Sequence, residues 1–376
     1  MIATLKVPLF PTSEQICYFN EMANEYHRLQ NIAVEYLKNC DYFVTEKELR
    51  HHLVDEAYND LPLGFVTTVV AKEKHSAYKR HGSFKLKFYK YSETSKSFPV
   101  RCDSSDNRMS RIYSNDNEYI KIPSISGVVK MSRLWVNKMK RKSCIGLLNI
   151  KKQTARVTYD GKYWYLLFSY YIDEQDVKLK DKSIGVDVGI KHLAVTSDNE
   201  FFDGVNNTQV VKRLELRKRK LQRIISNKYR QNKSYIKTNN ICKLERRLYL
   251  VHRRLKNLRE NEVHRISKYL VDKRYQVISF ENLNIRGMLK NKNLSEKIRN
   301  QCWYKLIQFT KYKAEFYGET FKQIDRFKPS SKTCSNCGNI KKNLLLSDRI
   351  YKCSKCGIII DRDLNASINI KNFAIN

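Results

Sequence analysis

No stretch of this 376-residue chain approaches the roughly eighteen consecutive apolar residues that a membrane-spanning helix requires, so no membrane partner is expected. The opening residues, Met1 to Pro8, lack the charged start and long apolar run of a secretory leader. Acidic residues are scarce: 38 Asp and Glu face 72 Lys and Arg, a net charge of +34. A chain so basic expects a polyanion as partner, although a ribosomal-type or membrane-surface protein would share the bias. There is no internal repeat and no low-complexity tract beyond that bias. No Ser-His-Asp or Cys-His pattern marks a nucleophilic enzyme; the eight histidines are scattered, and His264 reads as structural. The ten cysteines, without a leader, belong to a reducing compartment, where paired Cys-x-x-Cys motifs mean metal and not disulfide.

Hydrophobic content of 41% supports globular folding, and the length suggests two or three domains. The most specific motif is Cys334-x2-Cys337-x15-Cys353-x2-Cys356, each pair closed by Gly338 or Gly357. Four thiolates in two turns suit one tetrahedral Zn²⁺, with iron–sulfur as the other chemistry they serve. Because protein fills all four positions, the zinc is expected to be structural. The remaining six cysteines show no partner pattern.

Three separated acidic positions are the second signal. Asp187 ends the β-prone run Ser183–Asp187, and Glu281 ends Val277–Glu281. The third acid lies in Asp361-Arg362-Asp363-Leu364-Asn365-Ala366, which opens a helix-like stretch just after the cysteines. Carboxylates converging at strand ends are what Mg²⁺ needs, since it takes oxygen ligands and usually one or two carboxylates plus substrate phosphate. In a two-metal mechanism, ionised carboxylates act as ligands and not as general acids or bases. Each acid alone is unremarkable, and Asp363 could serve as a helix cap. Asp361 and Asp363 are both candidates, because residues two apart on a helix point to nearly opposite sides and only one faces the metals. Gly185 and Gly189 flank Asp187 and are expected to keep its surroundings open.

In chain order, residues 3–11 read as a short strand pushed to an edge by Pro8. Thr12 or Ser13 caps a helix reaching about Leu37, with Ile16, Phe19, Met22 and Tyr26 at helical spacing. Weaker helical character runs from Glu46 to Lys79. Lys85–Tyr91 interleaves aromatic and basic residues, a pattern that suits nucleic-acid stacking or an amphipathic edge strand. Residues 93–118 are polar and read as a loop or insertion. Ala155–Tyr159 and Tyr163–Tyr171 form a hairpin about Asp160-Gly161. Residues 183–202 form a second hairpin, a strand–turn–strand opening with an acid on its first strand, as in RNase H-like folds. Residues 211–272 read as a long helical hairpin turning within 231–240, with Leu244, Leu248, Val251, Leu255 and Leu258 as its buried stripe. Between Lys212 and Arg259 stand eighteen Lys/Arg and two Asp/Glu. Such one-sided charge favours a phosphate-binding surface, with Arg246, Arg247, Arg253 and Arg254 as its candidate contacts.

The chain resembles the TnpB family, the RNA-guided DNA endonucleases of insertion sequences, related to type V CRISPR effectors and Fanzor proteins. The matching stretches are 5–15, Gly185–Lys191, Ser279–Leu283, Pro329–Gly338 and Asp361–Asn369, in the family's order through nearly the whole chain. The resemblance implies an α+β multidomain protein. A β-barrel wedge domain would occupy 1–12 and 119–180, with a helical recognition insert over 13–118. An RNase H-like (RuvC) α/β nuclease domain would follow at 181–333 and 357–376, including the basic hairpin, with a zinc ribbon inserted at 334–356. It implies Asp187, Glu281 and Asp363 as the catalytic, Mg²⁺-holding carboxylates; the Asp-x-Asn-Ala match favours Asp363 over Asp361. It further implies two Mg²⁺ and one Zn²⁺ as cofactors, guide RNA and target DNA as partners, and a nucleoid-associated place in a prokaryotic cytoplasm. The chain ends 13 residues after Asp363, without an extended tail. The alternatives are a transposase acting on transposon ends without guide RNA, and a non-catalytic nucleic-acid-binding regulator.

Overall fold

Alternating apolar residues in the first ten positions build β1 (Ile2–Phe10), which pairs with two other strands of the first half of the chain. The computed structural model describes residues 2–58, 60–90, 92–101, 113–114, 118–122, 125–132, 152–171, 177–232, 237–291, 294–341, 343–345 and 348–375. The chain divides into two units, Met1–Ile172 and Asp173–Asn376.

In the first unit, β1 is followed by three helices, α1 (Ser13–Asn39), α2 (Glu46–Asp55) and α3 (Gly64–His81). Then come β2 (Lys96–Val100), β3 (Tyr113–Ser114), β4 (Tyr119–Lys121), β5 (Val129–Met131), β6 (Lys152–Tyr159) and β7 (Trp164–Tyr171). These strands form an antiparallel sheet in the order β2-β6-β7-β1-β5-β4-β3. Among the described residues it is an open ladder, with β2 and β3 at its ends. Thr12 starts α1 through a reciprocal capping box with Gln15, which satisfies two otherwise orphaned backbone donors. Phe19, Met22 and Tyr26 are buried against the sheet, where Phe19 meets Phe98 and Trp164 edge-on; Ile16, at the same spacing, stays exposed.

Three local expectations change. β1 is an interior strand, between β7 and β5. Pro8 is tolerated there because its carbonyl, accepting from Ser132 N–H, faces β5, so its missing N–H also falls on that side; the β5 ladder itself covers only Leu9 and Phe10. Residues 96–100 are the edge strand β2, so the three helices occupy only 13–81 of the span 13–118. Phe98 and Val100 supply buried side chains, and Pro99 is acceptable at an edge. Residues 86–90 form no strand: the Tyr89 ring stacks on His27 at 3.6 Å, and its backbone N–H and C=O both engage the Asn31 side chain.

The second unit is built on β8 (Lys180–Asp187), β9 (Ala194–Thr196), β10 (Phe201–Phe202), β11 (Tyr275–Glu281) and β12 (Thr320–Ile324), in the order β10-β9-β8-β11-β12. β8 pairs antiparallel with β9 and parallel with β11, and β11 pairs parallel with β12. Between β10 and β11 lie α4 (Gln209–Gln231) and α5 (Asn239–Asp272), with side-chain caps from Thr208 and Thr238. The short α6 (Ile285–Met288) and α7 (Ser295–Gln301) lead to α8 (Trp303–Phe316). After β12 comes the cysteine segment with β13 (Ile350–Lys352) and β14 (Ile359–Asp361), and then α9 (Arg362–Ile375). Ile184, Val186, Ile278 and Phe280 make the sheet's contribution to the core, met by Ile266, Leu270 and Leu306. α9 packs on β8, β11, β9 and β12.

Candidate active site

Asp187 and Glu281 stand side by side because β8 and β11 run parallel in matched register. Their last pair is Val186 with Phe280, and the two acids are the next residue on each strand. The three residues before each acid, 184–186 in β8 and 278–280 in β11, are buried, so each carboxylate stands where its strand leaves the core. Across Glu281 lies Ile324, the final residue of β12.

Asp363 reaches the same place from the first turn of α9. Burial, and after it the like charges of Glu281 and Asp363, raise the Asp187 carboxyl well above the usual carboxylate range. Arg362 and the Val188 N–H oppose the rise. Burial alone raises Glu281. Asp187 thus lies within reach of two like charges, with one cation nearby, an arrangement that a hard divalent cation would relieve.

Asp361 has a different job. Its Oδ1 accepts the backbone N–H of Asp363 at 2.9 Å and of Leu364 at 3.1 Å, so it is the N-terminal cap of α9. The sequence leaves both acids open and offers the cap to Asp363; the hydrogen bonds give the cap to Asp361. Gly185 also has a different reason. A Cβ there would overlap the Ser367 carbonyl oxygen and lie 2.5 Å from Lys371 N, so only glycine lets α9 lie this close to β8. The loop after Asp187 is held by Trp303 Nε1, which donates to Gly189 O at 3.2 Å, and by Gln301 Nε2, which donates to Ile190 O at 2.7 Å.

The four cysteines form a second cluster. Their sulfurs all lie within 4.8 Å of one another, with Cys334–Cys356 and Cys337–Cys353 each at 3.6 Å. Thiolates about 2.3 Å from a shared tetrahedral ion sit about 3.8 Å apart, so the set fits zinc. The two pairs are equivalent knuckles. Gly338 (φ 72°) and Gly357 (φ 75°) take the left-handed conformation, and their N–H groups donate to Cys334 O and Cys353 O. Donation from the Cys356 backbone N–H lowers the Cys353 thiol. Tyr351 is fully buried beneath the knuckles and donates to Lys332 O at 3.1 Å. Among the described residues this is the only group of His, Cys, Asp or Glu drawn together so tightly. The three carboxylates are not drawn together so tightly.

In the helical hairpin, Leu244, Leu248, Val251, Leu255 and Leu258 pack with Val211, Leu214 and Leu221. Arg246, Arg247 and Arg254 are exposed and Arg253 is half-buried. Not all the hairpin's cations are available for phosphate: Arg259 donates to Glu215 at 2.8 Å and to Asn206 at 2.9 Å, and Lys218 pairs with Glu215. His264 is stacked on Phe309 at 4.1 Å.

Sequence reasoning passes over two residues that the structure makes prominent, Asn365 and Asn369 of α9. Both are buried, and both hydrogen-bond the backbone beside Cys334. The available signal is their spacing of four, one face of a helix, in a motif where polar residues would otherwise face water.

Two family models match the second unit and its approach. Residues 168–292 match the family described as "Probable transposase" (OrfB_IS605), and residues 303–370 match the Cas12f1-like TNB domain. A "Putative RNA-guided DNA endonuclease" of Streptomyces pristinaespiralis is 34% identical over 188 residues, 50% of this chain and 44% of the relative. The TnpB-like protein L770 of Acanthamoeba polyphaga mimivirus is 29% identical over 240 residues, 61% of this chain and 45% of the relative. The chain thus spans about half the length of the curated relatives it matches. Among solved structures, a chain of the Cas12f1–sgRNA–target DNA complex aligns with a TM-score of 0.60 at 15% identity, covering 99% of both chains. CasPhi-2 (Cas12j) bound to crRNA aligns at 0.51 and 10% identity, covering 100% of this chain and 98% of the other. The overall fold is therefore the mixed α+β fold of these effectors.

Proposed function

We propose that this chain, a relative of the TnpB-like proteins, is an RNA-guided, Mg²⁺-dependent DNA endonuclease. The observation that carries the reading is the convergence of Asp187, Glu281 and Asp363 from two adjacent parallel strand ends and one helix. The central sheet supports assigning 181–333 and 357–376 to an RNase H-like (RuvC) nuclease domain. Three strands run antiparallel from the edge, two more add in parallel, and the acids sit at the carboxyl ends of β8 and β11. The four-cysteine segment 334–356 fits the zinc ribbon inserted in that domain. The seven-stranded antiparallel sheet of the first unit, which takes in β2 and β3 besides the strands of 1–12 and 119–180, supports a wedge-like β domain there, with the helices after residue 12 as the recognition insert. The names of the relatives, and the guide RNA and target DNA of the Cas12f1 complex, support the same partners here.

The chemistry follows from what the side chains hold. Bound between the carboxylates, two Mg²⁺ would activate water and stabilise the leaving 3′ oxygen. Asp187 and Glu281 offer oxygens from a rigid sheet, and Asp363 closes the set from the helix. Arg362 brings a fixed positive charge, its Nη1 donating to Leu345 O at 2.7 Å. The basic hairpin holds phosphate backbone without reading sequence, and pairing to an RNA guide supplies the specificity that backbone contacts lack.

The "Probable transposase" description of the match over 168–292 favours a second reading, cleavage of transposon ends without RNA. One assay separates them. Purified protein is given a DNA duplex with and without RNA recovered from cells that express the chain with its flanking DNA. Guide-dependent cutting, lost in Asp187→Ala, supports the nuclease reading. RNA-independent cutting confined to transposon ends supports the transposase. Binding without cutting in either case supports a regulator.

A further inference from the structure

The zinc cluster and the carboxylate cluster are joined by a short, buried set of hydrogen bonds. Asn365 Nδ2 donates to Thr333 O at 2.7 Å, and its Oδ1 accepts the Ser335 N–H at 2.9 Å. One turn on, Asn369 Nδ2 donates to Ser330 O at 2.7 Å and to Thr333 O at 2.6 Å. Asn365 is fully buried and Asn369, Ser330 and Thr333 nearly so, which removes water as a substitute partner. Thr333 and Ser335 are the neighbours of Cys334, so the two amides grip the first knuckle on both sides of its ligand. Arg362 adds a tie to the segment between the knuckles through Leu345 O and Asp348 O.

The geometry of α9 explains what this grip does. Residues two apart on a helix project to nearly opposite sides. Asn365 therefore faces the cysteine segment, while Asp363 looks towards Asp187. Behind both, the helix backbone at Ser367 and Lys371 presses on β8 at Gly185. The helix is held between a strand that carries one carboxylate and a loop whose shape the four thiolates fix.

We propose that Asn365 and Asn369 are positioning residues of the carboxylate site: they transmit the folded state of the zinc cluster to Asp363. The inference rests on the nuclease reading above and extends it, because it makes divalent-cation affinity at the acids depend on the occupancy of the thiolates. The cysteine segment then precedes the last acid because it sets where the helix bearing that acid lies.

The test uses the full chain and Mn²⁺ as probe, with electron paramagnetic resonance reading bound against free ion. Asn365→Ala and Asn369→Ala keep all four thiols and all three acids. They are expected to retain about one zinc per chain and to weaken Mn²⁺ binding about tenfold or more, the usual effect of losing an outer-sphere support. Zinc retained with Mn²⁺ affinity within twofold of the parent chain overturns the proposal. If either variant fails to fold, hydrogen exchange on the parent chain decides, before and after zinc is removed by chelation. Faster exchange at Asp363–Ala366 with β8 and β11 still protected supports the link; unchanged exchange there refutes it. Asp363→Ala is the control for the underlying reading. If it leaves Mn²⁺ affinity intact, the carboxylate assignment fails, whatever the asparagines do.

Discussion

Gly185→Ala adds one methyl group on β8 and, by this account, displaces a carboxylate carried by α9. The new Cβ would lie 2.5 Å from Lys371 N and 3.0 Å from Lys371 Cα, and would overlap the Ser367 carbonyl. Those are backbone atoms of α9 and cannot rotate away. Restoring an ordinary separation of about 3.5 Å requires the helix to retreat from β8 by more than about 1 Å, since the Ser367 oxygen lies closer still than Lys371 N. Overpacking of this kind costs about 1–3 kcal/mol. For a unit of this size that lowers the melting temperature by roughly 2–4 °C per kcal/mol, so a fall of roughly 2–12 °C is expected. The functional effect should be larger than the thermal one, because Asp363 rides on the same helix. A 1 Å misplacement can cost about a hundredfold in rate. Differential scanning calorimetry gives the first quantity and a single-turnover cleavage assay the second. A variant that melts like the parent and cuts at the parent rate would refute the close packing of α9 on β8 and the positioning of Asp363 built on it.

Asp363→Ala should abolish cleavage, whereas Asp361→Ala, which loses a cap, should cost about 0.5–2 kcal/mol of stability and leave measurable cutting; the reverse ranking in the same assay would exchange the two roles. Replacing Arg246, Arg247, Arg253 and Arg254 together by Ser should weaken RNA or DNA binding and flatten its dependence on salt, since fewer phosphate contacts release fewer counterions; an unchanged slope in a titration across salt concentrations counts against the hairpin as a phosphate surface. Glu319 is buried, and burial raises its carboxyl from 4.5 to about 8. Because its folded value lies above its unfolded one, its stabilising contribution is present below about 4.5 and is lost as pH rises towards about 8. Glu319→Gln should therefore melt higher than the parent at pH 8 and above and show a flatter pH profile; superimposable profiles would contradict the burial argument.

The parts of the fold that were legible in the sequence are those written in local chemistry. The cysteine spacing specified a closed four-thiolate cluster because two short knuckles with left-handed glycines leave little else to form. The capping box at Thr12, the Asp160-Gly161 turn and the leucine stripe of the hairpin are equally local. Asp187 and Glu281 were legible as strand-end acids, and the parallel register of β8 and β11 explains why they meet. What was not legible depends on contacts between distant segments. Pro8 reads as an edge residue until the partners of β1 are known. Lys85–Tyr91 reads as a stacking surface or an edge strand until Tyr89 is seen strapped to α1. Gly185 reads as a neighbour of the acid, while its reason lies in α9, far along the chain. Asp361 and Asp363 cannot be separated by periodicity, because the difference is which carboxylate accepts two backbone N–H groups. Asn365 and Asn369 look like polar surface residues until the loop they hold is placed.

The most direct test of the central claim is reprogrammed cleavage. The protein is purified with the RNA it carries, the guide end of that RNA is replaced, and DNA duplexes matching the old and new guides are offered with Mg²⁺. Cutting is expected to move to the new sequence, to disappear without RNA or without Mg²⁺, and to be absent in Asp187→Ala and Glu281→Ala. Cutting that stays at the original sites regardless of guide, or that persists in both variants, would contradict it.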